Sequence, residues 1–214
     1  LSGMALALAR QKFSGWQLLR LRSSRLLIPL LFGMFVIVVP QVYFEALSQQ
    51  LISSGYLAFW WQYVQPNTEL LREHHSAIGL LTWNHLWFLP YVFCYSVLML
   101  PLHALFKVLA RHSSAWPLWA FILLVVLLHL LAFIALRETY PSTHALVDDW
   151  YNHAKYGLVF ASGYWLALQQ NWWHRLPLIR YRLLAVALLG YTLVLLDNHD
   201  FFDDLNGTDR KSVV

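Results

Sequence analysis

The chain has 214 residues, of which 59% are hydrophobic and 12% charged, with a mean hydropathy of +0.50. Soluble domains carry about 25% charged residues, so this composition excludes a soluble globular domain and points to a polytopic membrane protein. Its 11 Trp, 11 Tyr and 13 Phe suit membrane interfaces, and the net charge of +4 reads as topology, with no nucleic acid as partner.

The chain opens on LSGMALALA, an apolar stretch too short to cross a bilayer, which takes about 20 helical residues. It is expected to be the tail of a span that begins earlier. Five apolar segments follow, at Leu26 to Leu47, His85 to Leu109, Pro117 to Leu136, Ala154 to Gln170 and Leu183 to Asp197. The loops between them alternate in charge. Arg10, Lys12, Arg20, Arg22 and Arg25 precede the first segment without an acid. The turn around Lys107 and Arg111, at the end of the second, is basic, and Arg175, Arg180 and Arg182 follow the fourth. The intervening loops hold Glu69, Arg72 and Glu73, and then Glu138, Asp148 and Asp149. The positive-inside rule places the basic loops in the cytoplasm, and all five segments then alternate without conflict. The expected fold is all-α, a transmembrane bundle embedded in a lipid bilayer.

Polar residues within this apolar frame are the candidates for function. Arg22 and Arg25 lie three apart at the cytoplasmic end of the first segment and share a helix face. They are either positive-inside anchors or a fork suited to phosphate. Glu45, near the outer end of that segment, is either just outside the membrane or turned into the bundle. In TWNHLWFLPYVF, Asn84 and Trp87 share a face if the stretch is helical, as do Trp83 and Trp87. This is an aromatic belt or the rim of an outer cavity, since polar residues beside an apolar helix usually face a cavity or another helix. His103 and His129 raise a haem-ligating pair, but their depths in successive segments match poorly. In YPSTHALVDDWYNHAKYG, Asp149 and His153 are four apart and would meet on a helix, the carboxylate orienting the imidazole, with His144 nearby. The alternative is an exposed acidic loop. The spacing fits no usual zinc pattern, so no metal is expected. Cys94 is the single cysteine and leaves no internal disulfide.

RSSRLLIPLLFG, VVPQVYFE, NHLWFLPYVFCY and HALVDDWYNHAKYGLVFASGY, in this order, resemble the membrane acyltransferase family 3. They are most similar to its branch containing the periplasmic glucan succinyltransferase. The resemblance implies a bundle of about ten helices that moves an acyl group, acetyl or succinyl, from cytoplasmic acyl-CoA to a glycan hydroxyl outside the membrane. Acyl-CoA is then a co-substrate with no permanent cofactor, and the location is the bacterial inner membrane. By similarity Arg22 and Arg25 hold the CoA phosphates. Asn84, His85 and Trp87, with Glu45, Asp149 and His153, belong to the acceptor site, most of a bilayer away. The family's catalytic arginine and histidine lie on a first helix that no segment here matches, so the chain is expected to be an inactive partial domain over residues 1–206. Residues 207–214 are read as a non-native tail, because DRKSVV is what one frame of a common sequencing adapter encodes. The rival class is a transporter or exporter of glycan or lipid.

Overall fold

The computed structural model describes residues 1–53, 55–65, 67–72 and 80–198. Glu73 and the 207–214 tail lie outside them. The described elements are helical, with no strand among the described residues. The chain falls into two compact units, Leu1–Gln169 and the part from Gln170 onward.

Helix α1 (Ser2–Arg10) turns into α2 (Gly15–Phe32) through a reciprocal cap. The Gln17 amide donates to Ser14 Oγ at 3.3 Å, and the Ser14 amide donates to Gln17 Oε1 at 2.9 Å. The helix continues through a π-helical turn (Gly33–Ile37) into α3 (Val38–Ser48). Pro40 has no N–H to offer the Val36 carbonyl, and a π turn is a common local adjustment where the ladder is interrupted. Within that turn Gly33 makes room for a neighbour, since a Cβ there would lie 2.1 Å from Leu86 Cδ1.

After α3 the chain folds back as α4 (Tyr56–Tyr63), an element absent from the hydropathy pattern. The Trp60 indole donates to the Phe35 carbonyl at 3.0 Å, inside the π turn. Val39, Tyr43, Phe59, Tyr63 and Leu80 bury one another to form a small outer core. The Thr82 amide donates to the Tyr63 hydroxyl at 3.2 Å and returns the chain to a 3-10 turn (Asn84–Leu86).

Helix α5 (Phe88–His112) has 25 residues, about 37 Å at 1.5 Å per residue, enough to cross the hydrocarbon. A 3-10 turn at Ser113–Ala115 leads to α6 (Leu118–Leu136), then α7 (Trp150–Leu168). The side-chain amide of Gln169 donates to Ser113 Oγ at 2.7 Å, and the Trp165 indole donates to the same oxygen at 3.1 Å. The end of α7 is thereby tied to the α5–α6 turn. Helix α7 packs against α1, α5 and α6. Gly3 allows the closest of these approaches, because a Cβ there would fall 2.0 Å from the Phe160 carbonyl oxygen. Small residues at such contacts let helix backbones meet. The second unit contains α8 (Gln170–Asn198), a 29-residue helix with Pro177 inside it.

Among the described residues four helices, not five, are long and apolar enough to cross a membrane: Gly15–Ser48, Asn84–Ala115, Leu118–Leu136 and Arg175–Leu196. The expected span at Ala154 to Gln170 is a helix, but its 19 residues start at Trp150 and include Asn152, His153 and Lys155. That polarity has a physical reason, since α7 faces other helices and carries groups that bond to them.

Two outcomes test this arrangement. Gly3→Ala should overpack the α1–α7 contact and cost on the order of 1–3 kcal/mol, read as a lower unfolding temperature in detergent. Cysteines replacing Lys12 and Thr139 should be labelled from opposite faces of the membrane, because three of the apolar helices lie between them. Labelling from one face would break the topology.

Candidate functional site

At the end of the bundle where α5 begins, the loop 143–149 closes over α5 and α7. His144, Leu146 and Asp148 adopt left-handed backbone conformations, with φ of 56°, 67° and 58°. Such conformations cost a non-glycine residue energy and persist where the surroundings fix them. What fixes them is Asp149. Its side chain is fully buried and accepts hydrogen bonds from the His144 amide at 2.9 Å, the Thr143 amide at 3.4 Å, Asn152 Nδ2 at 2.9 Å and the Tyr91 hydroxyl. Backbone N–H groups in this kind of turn form a concavity for an anion, and here the anion is the protein's own. Burial pushes the Asp149 carboxyl up, but the donors from Tyr91, Asn152, Thr143 and His144 outweigh it and hold it below the usual carboxylate range.

The Tyr91 hydroxyl also accepts the Leu146 amide at 3.0 Å, so α5 is bonded to the loop twice. The Leu146 carbonyl faces His153 Nε2 at 2.7 Å. A carbonyl only accepts, so Nε2 carries a proton, and Nδ1 meets the Tyr95 hydroxyl at 3.2 Å. The Tyr91 ring stacks on the His153 ring at 4.9 Å between centroids. The expected contact between the Asp149 carboxylate and the His153 imidazole is not made. Asp149 immediately precedes α7, so only its carbonyl meets the His153 amide, at 3.0 Å, while its side chain turns into the loop. Tyr91 stands between the two side chains and links them.

Trp87 sits at the head of α5. Its ring lies 4.2 Å from the His144 ring, 5.2 Å from Tyr156 and 5.8 Å from Tyr91. Below it opens a cavity of about 220 Å³, lined by Trp87, Phe88, Tyr91, Val92, Tyr95, Tyr156, Val159 and Phe160, with Leu1, Ser2 and Gly3 at one edge. The lining is aromatic with a few hydroxyls, the usual character of a small-molecule site.

The other candidates are placed differently. Asn84 and Trp87 do not share a face of α5, because α5 begins at Phe88 and Asn84 is itself left-handed, with φ of 42°. Its side chain is exposed and meets Gln41 Oε1 at 3.4 Å. Trp83 turns away and donates its indole N–H to the His144 carbonyl at 2.9 Å, so it pins the loop. His85 is exposed, next to Trp87 but outside the cavity lining. Glu45 is exposed on α3 and is not turned into the bundle. Arg22 is half-buried and lines a crevice with Leu6, Leu18, Leu19, Ser96, Val97 and Leu100. It is therefore level with the middle of α5, deeper than its place before the apolar run suggests. Arg25, exposed, is one turn further on and close enough for its charge to act on Arg22. Ten residues of α5 separate Trp87 from Val97, about 15 Å, so the arginines and the cavity are not a bilayer apart. His103 bonds to Tyr164 and His129 to the carbonyl of Val125 on its own helix, so they do not form a ligand pair. Among the described residues no cluster of three or more His, Cys, Asp or Glu offers a metal site.

Comparison with known families gives the decisive observation: the acyltransferase domain model of the acyltransferase 3 family matches residues 1–208. The chain belongs to this family. No curated protein and no solved structure matches it. The membrane acyltransferase domain thus carries an aromatic cavity on α5 and α7. Tyr91 and Tyr95, with Asn152 and Tyr156, are members that sequence reasoning missed. The signal for the first two was the four-residue period Trp87, Tyr91, Tyr95, one continuous stripe on α5.

The central role of Asp149 has a pH signature. With its carboxyl below the ordinary value in the folded protein, its contribution is complete above about pH 5 and is lost as pH falls through the folded value. Asp149→Asn should unfold at a lower temperature than the parent at pH 7, with the gap closing in acid. A gap that stays constant down to about pH 3 would contradict a charged Asp149 in the loop.

Proposed function

We propose that this membrane acyltransferase moves a short acyl group, acetyl or succinyl, from cytoplasmic acyl-CoA to a hydroxyl of an extracytoplasmic glycan, in the bacterial inner membrane. The observation that carries the reading is the aromatic cavity beneath Trp87. Its rings offer flat apolar surfaces for the C–H face of a sugar, and the Tyr95 and Tyr156 hydroxyls are within the same lining. Its volume of about 220 Å³ suits one sugar ring or a short acyl group.

In this reading Arg22 and Arg25 take charge on the phosphates of the donor. The acyl end then extends along α5 toward the cavity, a distance within reach of a phosphopantetheine arm. The acceptor oxygen attacks the thioester carbonyl carbon, the new ester C–O bond forms, the C–S bond breaks and the thiolate leaves toward the cytoplasm. The base that takes the acceptor proton is, by family resemblance, a histidine. Trp87 positions the acceptor, and Tyr95, held by His153, fixes its orientation. Asp149, Tyr91 and Asn152 hold the loop that carries His144 against Trp87. Asn84 and His85 stand at the outer rim, where a glycan enters, and Glu45 lies further from the cavity. The succinyltransferase branch remains the preferred relative on the motifs quoted above.

The test uses the full-length protein, assayed for acyl transfer to a glycan and for acyl-CoA binding on the same purified variants. Trp87→Ala should lower transfer about ten-fold or more, the loss of roughly 1.4 kcal/mol of aromatic contact, and Trp87→Phe should restore most of it. Tyr95→Phe should also lower transfer, and all three variants should keep acyl-CoA binding. Transfer that survives Trp87→Ala would reduce Trp87 to a membrane-belt residue. Passage of an unmodified glycan across the membrane with no acyl transfer would favour the exporter.

A further inference from the structure

Toward the opposite end of the bundle three cationic or basic side chains lie near one another, with no ion pair to an acid among the described residues. Arg10 ends α1, while His103 and Lys107 are four apart on α5 and share a face. The charges of Arg10 and Lys107 both act on the His103 ring, and that of Arg10 also acts on Tyr164. Tyr164, on α7, is buried, and its hydroxyl meets His103 Nδ1 at 2.6 Å. With the hydroxyl as donor the ring carries its own proton on Nε2, which has no protein partner among the described residues. Arg10 donates from Nη1 to the Phe13 carbonyl at 3.0 Å, but its Nε is buried and has no partner. Lys107 is exposed. The one ion pair among the described residues joins Arg72 to Glu69, in an outer loop.

A partly buried guanidinium with an orphaned N–H is costly unless an anion meets it. Nothing among the described residues supplies one. We propose that Arg10, His103 and Lys107 form a binding site for a phosphate ester at the cytoplasmic end of α1 and α5, separate from the arginine pair on α2. Guanidinium, imidazole and ammonium donors from two adjacent helices would together match the several acceptor oxygens of a phosphate. Two cytoplasmic sources carry this group: the nucleotide phosphate of the acyl donor and the headgroup of an anionic lipid. The nucleotide source rests on the acyl-CoA reading above, whereas the lipid source does not.

The experiment separates the two. Full-length protein is reconstituted in phosphatidylcholine nanodiscs, and binding of adenosine 3′,5′-bisphosphate is measured by titration. In a second arm, retention of phosphatidylglycerol from mixed vesicles is read by native mass spectrometry. The parent should bind in at least one arm. Arg10→Gln and Lys107→Gln should each weaken that binding about ten-fold or more, as expected for loss of a charge-assisted contact to phosphate. Lys107 is on the surface, so its variant folds as the parent does and keeps the test meaningful if Arg10→Gln does not. Loss confined to the nucleotide arm identifies the donor's phosphate, and loss confined to the lipid arm identifies a headgroup site. A parent that binds neither probe, or variants within about two-fold of the parent in both arms, would overturn the site. Neither arm measures acyl transfer, so failure of the transfer assay described above would sink the enzymatic reading while phosphate binding here would still stand or fall on its own result.

Discussion

The buried carboxylate of Asp149 is the constraint on which the outer half of this bundle depends. A charge with no exposure to water must be met by donors, and here the donors come from three different places. Tyr91 reaches from α5, Asn152 from α7, and the amides of Thr143 and His144 from the loop between α6 and α7. Satisfying one side chain therefore fixes a loop in a left-handed, strained path and locks two helices to it. The cavity follows from that arrangement. His144 is held over Trp87, Leu146 turns its carbonyl to His153, and His153 in turn orients Tyr95.

The same economy governs depth. A membrane helix that is apolar all round faces lipid, and α6 is of this kind, with His129 returned to its own backbone. Helix α7 gives up hydropathy because its polar groups are used against neighbours, from Asn152 at the top to Gln169 just past its lower end. Gly3 brings α1 into backbone contact with α7, and Arg22 is carried to the level of Ser96 and Val97. Charge and aromatic cavity thus lie along one face of the bundle, within about 15 Å of each other along α5. An ionisable residue at such a depth usually serves a substrate path.

Much of this was legible in the residues. Apolar runs and loop charges located the spanning helices, and motif order led to the acyltransferase family, which the family match over residues 1–208 bears out. Trp87, His153 and Asp149 were singled out and do meet, though through Tyr91 rather than directly. The apolar run from Ala154 to Gln170 reads as a fifth span, but the helix starts at Trp150 and its polar first turns keep it out of the four helices apolar enough to cross a membrane. Tyr91 and Tyr95 were hidden among 11 tyrosines, where any one reads as an interface residue. The π turn and α4 left no periodic signal, since both depend on contacts distant in sequence, such as Trp60 to Phe35. The backbone of Asn84 also escaped, because a helix was assumed to begin three residues too early.

The central claim is that the acyl carbon reaches the cavity between α5 and α7 below Trp87. It is tested most directly by a structure of the full-length protein bound to a thioether analogue of acyl-CoA, which cannot transfer its acyl group. The account predicts the phosphates on the cytoplasmic side and the acyl end in contact with Trp87 and Tyr95, inside the cavity of about 220 Å³. An acyl end lodged elsewhere, with that cavity filled by side chains or lipid, would contradict it.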